Sequence, residues 1–263
     1  MIMKMDKKIV RKAYGKIVEA SESCDCTTRR TDARAFVKGI GYSEEELKDI
    51  PEAANLALSC GNPIALAGLN KGDAILDLGS GAGFDCFLAA SKVGPKGRVI
   101  GVDMTPKMIE KARENATADN TEFRLGEIEN LPVADSFVDV VISNCVINLS
   151  PDKPKVFQEV YRVLKPGGRI AISDIALLKE LPRKIRESVE AYVGCVGGAE
   201  HIEKYKKIVE AAGFKDVKIT VKGSSACIDP GIKDPIDRAI LDCLGEGESL
   251  SDFAVSVYVE GRK

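Results

Sequence analysis

The hydrophobic pattern is clearest in the middle of the chain, where short apolar runs alternate with segments of helical periodicity. The apolar runs predict strands over residues 74–78, 98–103, 138–144 and 169–174, and we predict a further strand over residues 121–125. Apolar residues at helical spacing predict helices over residues 84–93, from Pro106 onwards with Thr105 as N-cap, and over residues 153–164 up to Pro166-Gly167-Gly168. Strands alternating with helices in this way pair in parallel through right-handed crossovers. The pattern therefore predicts an α/β fold with a mostly parallel sheet.

The pattern is weaker on both sides of this central block. Before it we predict an amphipathic helix over residues 7–20, a polar loop over 21–30 and a mixture of helix and turn over 44–60. After it we predict helices over residues 183–193, 202–212 and 236–244, and strands over residues 217–221 and 253–259. We therefore divide the chain into an N-terminal helical segment (1–71), a central domain (72–180) and a C-terminal segment (181–263).

Composition narrows the function classes. Apolar residues make up 44% of the chain and charged residues 30%, a balance typical of globular proteins. The formal net charge of −2 argues against nucleic acid or an anionic membrane as partner. The polar start, residues 1–8, has no apolar stretch behind it, which predicts a cytoplasmic protein without a secretory signal. A single histidine, His201, excludes a multi-histidine metal site, and we interpret it as a solvated residue at a helix start.

A glycine-rich loop, Asp77-Leu78-Gly79-Ser80-Gly81-Ala82-Gly83, joins the first strand of the block to its helix. This arrangement places a ligand at the carboxyl end of the sheet, where glycines allow close approach of the backbone. A dinucleotide site would need a third small residue where Phe84 stands, so the spacing disfavours it. Asp103 ends the second strand, where a carboxylate can accept hydrogen bonds from ribose hydroxyls.

These residues resemble the class I methyltransferase superfamily. The matching segments, in order, are residues 75–83, 102–103, 126–132, 135–141 and 164–168. The resemblance implies S-adenosylmethionine as cofactor and a seven-stranded Rossmann-like sheet with its last strand antiparallel, completed by the two late strands. The cofactor-binding residues that it implies are Asp77, Gly79, Ser80, Gly81, Gly83, Asp103, Met104, Ile128, Glu129 and Asn144.

Eight cysteines are the unusual feature of the composition. Their wide spacing in a large chain predicted to be cytoplasmic argues for a thiolate site, redox chemistry or simple burial rather than a disulfide framework. Cys145 follows the fourth strand, and in this fold that position faces the transferred methyl group. Cys60 and Cys195 come from distant segments of the chain. Thiolates select soft centres such as trivalent arsenic. The alternative is that cysteines are buried apolar residues, which we prefer for Cys86, Cys227 and Cys243.

The chain is similar to arsenite methyltransferases from about Tyr14 to Phe214. The segments that carry this resemblance are Cys60-Gly61, Asp85-Cys86, residues 143–149 and residues 195–199. It implies that Cys60, Cys145 and Cys195 hold arsenic(III). It also implies that Cys24 or Cys26 forms a relay disulfide with Cys60, which thioredoxin or a glutathione-like donor reduces. Two departures are Leu58-Ser59, where many relatives carry an aromatic residue before the Cys-Gly pair, and Glu200, where they often carry leucine.

The resemblance makes the leading hypothesis an enzyme that methylates arsenite, or its thiol conjugates, for detoxification. The N-terminal segment then covers the active site, the central domain binds the cofactor, and the C-terminal segment supplies an arsenic-binding cysteine. A second hypothesis is methylation of a small organic acceptor such as a quinol or lipid precursor. A third is a non-catalytic thiol-based metalloid-binding protein.

Overall fold

The computed structural model describes residues 6–22, 33–48, 50–224, 244 and 247–263. The helices are α1 Lys7–Glu22, α2 Ala33–Gly39, α3 Pro63–Ala67, α4 Phe84–Val93, α5 Pro106–Asn115, α6 Lys153–Val163, α7 Arg183–Arg186, α8 Val189–Val193 and α9 Ile202–Ala211. The strands are β1 Ala74–Leu78, β2 Arg98–Asp103, β3 Thr121–Leu125, β4 Val138–Asn144, β5 Leu164–Leu177, β6 Glu200–His201, β7 Lys215–Ser224 and β8 Ala254–Arg262. Short 3-10 helices cover Glu52–Ala54, Ile147–Leu149 and Leu250–Asp252.

The main path of the sheet runs β3-β2-β1-β4-β5-β8-β7, and β6 adds a short pair to the end of β5. The first five strands along this path pair in parallel, whereas β8 is antiparallel to both β5 and β7. This order confirms the predicted class I methyltransferase fold with its last strand antiparallel. The eighth strand, β6, was not predicted, because two residues are too few to show an alternating pattern.

Parallel register brings the carboxyl ends of the central strands to one edge of the sheet. Leu78 at the end of β1 lies opposite Val102 of β2 and Ser143 of β4. The segments that follow these strands therefore meet: the glycine loop, the turn after Asp103 and the segment that begins at Asn144. Apolar clusters cover the sheet on both sides, and a third cluster lies at this edge and contains Cys60, Cys145 and Cys195.

Most predicted boundaries outside β1 to β4 and α4 differ from the observed ones by one to three residues, and two predictions differ by more, each for a local reason. Strand β5 begins at Leu164 rather than residue 169, because Leu164 already pairs with Val138 of β4. The pairing resumes at Arg169 opposite Val140, after an irregularity in which Gly167 has φ +79°. The helix predicted over residues 183–193 is two helices, because the Ser188 hydroxyl accepts a hydrogen bond from the Ala191 N–H and starts a new helix.

Some predictions fall on residues that the structure does not describe. Cys24, Cys26, Cys227, Cys243 and all but the last residue of the predicted helix over 236–244 lie outside the described ranges. Within those ranges, no helix is long and apolar enough to cross a bilayer.

Candidate active site

A cavity of about 1000 Å³, including its open mouth, lies at the carboxyl edge of the sheet. Its walls come from the glycine loop, the turn after β2, the segment after β4, residues 54–59 and helix α1. All the predicted cofactor-binding residues except Gly83 line it: Asp77, Gly79, Ser80, Gly81, Asp103, Met104, Ile128, Glu129 and Asn144. Residues predicted from separate motifs therefore surround one space, although the role of each in binding stays a prediction.

Asp103 fixes the glycine loop against the start of α5. One carboxylate oxygen accepts a hydrogen bond from the Gly81 N–H at 3.0 Å, and the other accepts one from the Thr105 N–H at 2.8 Å. A carboxylate oxygen can accept more than one hydrogen bond, so these contacts are compatible with the predicted binding of ligand hydroxyls by Asp103.

Two buried carboxylates give this end of the cavity its charge. Asp77 accepts a hydrogen bond from the Cys86 thiol at 3.2 Å, and Asp85 accepts one from the Tyr42 hydroxyl at 2.7 Å. Burial raises the pKa of Asp85 to about 6, and burial together with the neighbouring Asp85 charge raises the pKa of Asp77 well above its usual range. A cationic ligand would offset both effects, so the site fits a ligand that carries positive charge.

The glycine loop brings its backbone close to the cavity. Gly79 and Gly81 line the cavity and have φ +71° and +51°, a backbone conformation that favours glycine. The Ser80 hydroxyl between them is buried against β2, since a Cβ atom at Gly101 would lie 2.8 Å from its oxygen. Together with the two carboxylates, this close backbone approach supports the fit of a polar, cationic cofactor.

Helix α1 forms part of the cavity wall, and the residues of α1 that lie there were not predicted from the sequence. Lys7 forms ion pairs with Glu127 at 2.8 Å and Glu129 at 3.0 Å, and Glu129 also accepts a hydrogen bond from the Ser150 hydroxyl at 2.5 Å. Further along α1, the Tyr14 hydroxyl donates to the Val193 carbonyl at 3.1 Å. Helix α1 therefore contacts both residues 126–132, a segment that matches the methyltransferase superfamily, and the helix that precedes Cys195.

The three predicted arsenic-binding cysteines lie together, each buried. Cys60 and Cys145 are joined by a disulfide with Cα atoms 5.9 Å apart, and the Cys195 thiol donates to the Cys145 carbonyl at 2.8 Å. Cys145 also lines the cavity. In this oxidised arrangement, no group of three or more His, Cys, Asp or Glu residues in the described parts of the chain is placed to hold a metal ion.

Cys145 and Cys195 share an unusual backbone conformation. Their φ angles are +55° and +66°, in the left-handed region, which costs a non-glycine residue roughly 1–2 kcal/mol. Neighbouring backbone holds them there: the Cys145 N–H donates to the Ser173 carbonyl, and the Cys195 N–H donates to the Tyr192 carbonyl. Strain of this kind at two cysteines of one cluster is typical of a functional site.

A buried polar network behind the cysteines was missed by sequence reasoning. The Asn148 amide donates to Asp174 at 2.9 Å and to the Ile175 carbonyl at 2.7 Å, and the Tyr205 hydroxyl donates to Asp174 at 3.0 Å. The Tyr192 hydroxyl donates to the Leu149 carbonyl at 2.6 Å. These bonds hold the segment after Cys145 against β5 and against the helix before Cys195. The asparagine in the cysteine segment was the available signal, but nothing in the sequence paired it with Asp174.

Comparisons with known proteins agree with this geometry. Residues 69–213 match the family described as a methyltransferase domain. The arsenite methyltransferase of Halobacterium salinarum is 42% identical over 98% of this chain and 66% of its own length. That of Aquipseudomonas alcaligenes is 34% identical over 88% of this chain and 68% of its own length. The chain thus spans about two thirds of each relative.

A solved structure adds a comparison of the fold. The crystal structure of an arsenic(III) S-adenosylmethionine methyltransferase from Chlamydomonas reinhardtii has a TM-score of 0.59 and 33% identity to this chain. The match covers 89% of this chain and 74% of that one. Together with the glycine loop, the sheet order and the clustered cysteines, these similarities show that the chain belongs to the arsenite methyltransferase family within the class I methyltransferases.

Proposed function

We propose that this protein transfers the methyl group of S-adenosylmethionine to trivalent arsenic held by cysteine thiolates. The observation that carries the proposal is the position of Cys145, which lines the same cavity as the glycine loop and contacts both Cys60 and Cys195. Donor and acceptor sites therefore share one space. The cofactor, when bound, supplies an electrophilic methyl group on a positively charged sulfur.

The residues of the cavity hold and orient the reactants in this proposal. Asp77 and Asp85 face the cationic end of the cofactor, Asp103 binds the ribose hydroxyls, and the segment with Ile128 and Glu129 contacts the adenine. Arsenic(III) bound by sulfur keeps a lone pair, so its methylation needs no general base. The protein contributes mainly by holding the two reactants at short distance in line.

The thiol site needs a reductant before it can bind arsenic. Opening the Cys60–Cys145 disulfide takes up two electrons and two protons and yields two thiols. A dithiol protein such as thioredoxin, or a glutathione-like thiol, can supply these electrons and protons. Cys24 or Cys26 would relay these electrons through a disulfide with Cys60. With Cys60 and Cys145 reduced, Cys195 completes a set of three sulfurs. We propose a cytoplasmic location, where such reductants are available.

The proposal is tested by incubating reduced enzyme with arsenite, S-adenosylmethionine and glutathione and separating the arsenic species by mass spectrometry. We expect methylated arsenic from the wild-type protein and at least a hundredfold less from Cys145→Ser or Cys195→Ser, with unchanged S-adenosylmethionine affinity in a separate titration. Cys227→Ser, a cysteine predicted to be a spectator, serves as the matched control. Full activity of Cys145→Ser or Cys195→Ser would refute the thiolate site.

The same assay separates the two other hypotheses. An enzyme for an organic acceptor would release S-adenosylhomocysteine with a quinol or lipid precursor but leave arsenite unmethylated. A metalloid-binding protein would bind arsenite stoichiometrically and release no S-adenosylhomocysteine. The arsenite methyltransferase relatives favour neither alternative.

A further inference from the structure

Asn144, the last residue of β4, uses its side-chain amide to hold the backbone around Cys60. Its carbonyl oxygen accepts a hydrogen bond from the Cys60 N–H at 2.9 Å, and its amide nitrogen donates to the Gly61 carbonyl at 2.8 Å. The two bonds hold the peptide groups on either side of the Cys60–Gly61 peptide bond. Asn144 is itself joined by a peptide bond to Cys145, so one side chain links the backbones of both cysteines.

Two buried side chains fix the orientation of this amide. The Asn144 amide nitrogen lies 3.0 Å from an Asp85 carboxylate oxygen and 3.1 Å from the Tyr42 hydroxyl oxygen. Because a carboxylate accepts but does not donate when ionised, Asp85 selects the amide orientation in which nitrogen faces it and oxygen faces the Cys60 N–H. Asp85 also lines the cavity, so it connects the cavity wall to the cysteine pair.

From these contacts we infer that Asn144 is a positioning residue for the Cys60–Cys145 pair, and that Asp85 and Tyr42 hold it in its working orientation. The two cysteines are 85 residues apart in the chain, yet their Cα atoms are 5.9 Å apart. Disulfide formation requires Cα atoms within about 7 Å, so small displacements of the Cys60 segment change how readily the sulfurs meet. Asn144 maintains this spacing.

The positioning role of Asn144 does not depend on the proposed function; only the use of the cysteine pair in arsenic methylation does. The relevant exchange is the reaction of the Cys60–Cys145 disulfide with two glutathione molecules, which gives two protein thiols and one glutathione disulfide. Its equilibrium constant measures how well the folded protein holds the two sulfurs together. It is measured without arsenite or cofactor, so its result stands apart from that of the methylation assay.

The test equilibrates the full-length protein in glutathione buffers of known ratio, quenches with an alkylating agent and quantifies the Cys60 and Cys145 peptides by mass spectrometry. Asn144→Asp removes the donor to Gly61 and places a second carboxylate beside Asp85. Since one hydrogen bond shifts an equilibrium by roughly 2- to 12-fold, we expect a fall of that size in the constant for disulfide formation, which raises the reduction potential by roughly 10–30 mV. Asp85→Asn should give a smaller fall, since the Asn144 bonds to the Cys60 segment remain available.

Asn120→Asp is the matched control, because Asn120 makes two amide hydrogen bonds to the carbonyls of Ala90 and Gly94, away from the cavity. Circular dichroism and thermal unfolding check that each variant is folded. If Asn144→Asp does not fold, Asp85→Asn and Tyr42→Phe carry the test. A wild-type constant in the folded Asn144 variant, or an equal fall in Asn120→Asp, would overturn the inference. Wild-type constants in both Asp85→Asn and Tyr42→Phe would overturn the part assigned to Asp85 and Tyr42.

Discussion

A side chain at Gly79 of the glycine loop would collide with the residue after Cys145, so the replacement of Gly79 tests how the loop packs against that segment. Gly79 has φ +71°. A Cβ atom at this position would lie 2.1 Å from a methyl carbon of Val146, which is the residue after Cys145. Gly81 in the same loop has φ +51°, but its Cβ would meet only the Met108 sulfur at 3.9 Å. Alanine at either position therefore carries the same cost of a positive φ angle, but only alanine at position 79 also collides with a neighbouring side chain.

The expected magnitudes follow from this difference. Placing alanine in the left-handed region costs roughly 1–2 kcal/mol at either position. At Gly79 the collision with Val146 adds an overpacking cost of roughly 1–3 kcal/mol. We therefore expect the free energy of unfolding to fall by roughly 2–5 kcal/mol in Gly79→Ala and by roughly 1–2 kcal/mol in Gly81→Ala.

Urea unfolding of the cofactor-free, fully reduced protein measures both values. The double variant Gly79→Ala/Val146→Ala should recover part of the excess cost at Gly79, since it removes the two colliding methyl groups and leaves the Val146 Cβ at 2.8 Å. The Gly81→Ala/Val146→Ala pair should instead be additive, because Gly81 has no contact with Val146 within 4 Å. Equal losses for Gly79→Ala and Gly81→Ala, or no coupling between positions 79 and 146, would refute the packing argument.

Three further outcomes are expected. Burial raises the pKa of Asp174 from 3.8 to about 7. Between pH 4 and pH 7 the folded state therefore keeps a proton that the unfolded state loses, so the contribution of Asp174 to the free energy of unfolding falls as the pH rises. Asp174→Asn should remove that slope, about 1.4 kcal/mol per pH unit, in urea titrations from pH 4 to pH 7; an unchanged slope contradicts the assignment. Lys7→Met should speed hydrogen exchange in α1 several-fold, whereas Lys8→Met, at an exposed position, should not; equal rates would show that the Lys7 ion pairs do not hold the helix. Gly198→Ala should weaken arsenite binding at least tenfold in a fluorescence titration, because its Cβ would lie 2.1 Å from the Asn148 carbonyl oxygen and would displace the segment that follows Cys195. Wild-type affinity would mean that arsenite binding tolerates this displacement.

Local features were predicted well from the sequence. Strands β1 to β4 and helix α4 have the predicted bounds. For β1, β2 and β4 the reason is an apolar run followed or ended by glycine, aspartate or asparagine, which is a strong local signal. The glycine loop and Asp103 could be singled out from the sequence because glycine spacing and a carboxylate at the end of a strand are local signals, and Asp103 and most of the loop line the cavity. Boundaries failed where a local residue changed the outcome, as Ser188 did by capping a second helix.

Partners of the site residues were much harder to predict. Tyr42 and Asp85 are 43 residues apart, and Asn148 and Asp174 are 26 apart, with no pattern in the sequence that pairs them. Lys7 lines the cavity only because α1 folds back over the sheet edge. Such pairings depend on crossovers and helix packing, which hydrophobic periodicity does not specify.

The sequence by itself determined the strand and helix alternation, the cofactor loop and the identity of the candidate thiols. These features depend on residues close together in the chain, where backbone preferences and side-chain periodicity act directly. The tertiary structure decided that Cys60 meets Cys145, that the Cys195 thiol contacts the Cys145 carbonyl, and that Asn144 spans the first pair. Parallel register brings distant strand ends to one edge, so contacts there arise only when the whole sheet has formed.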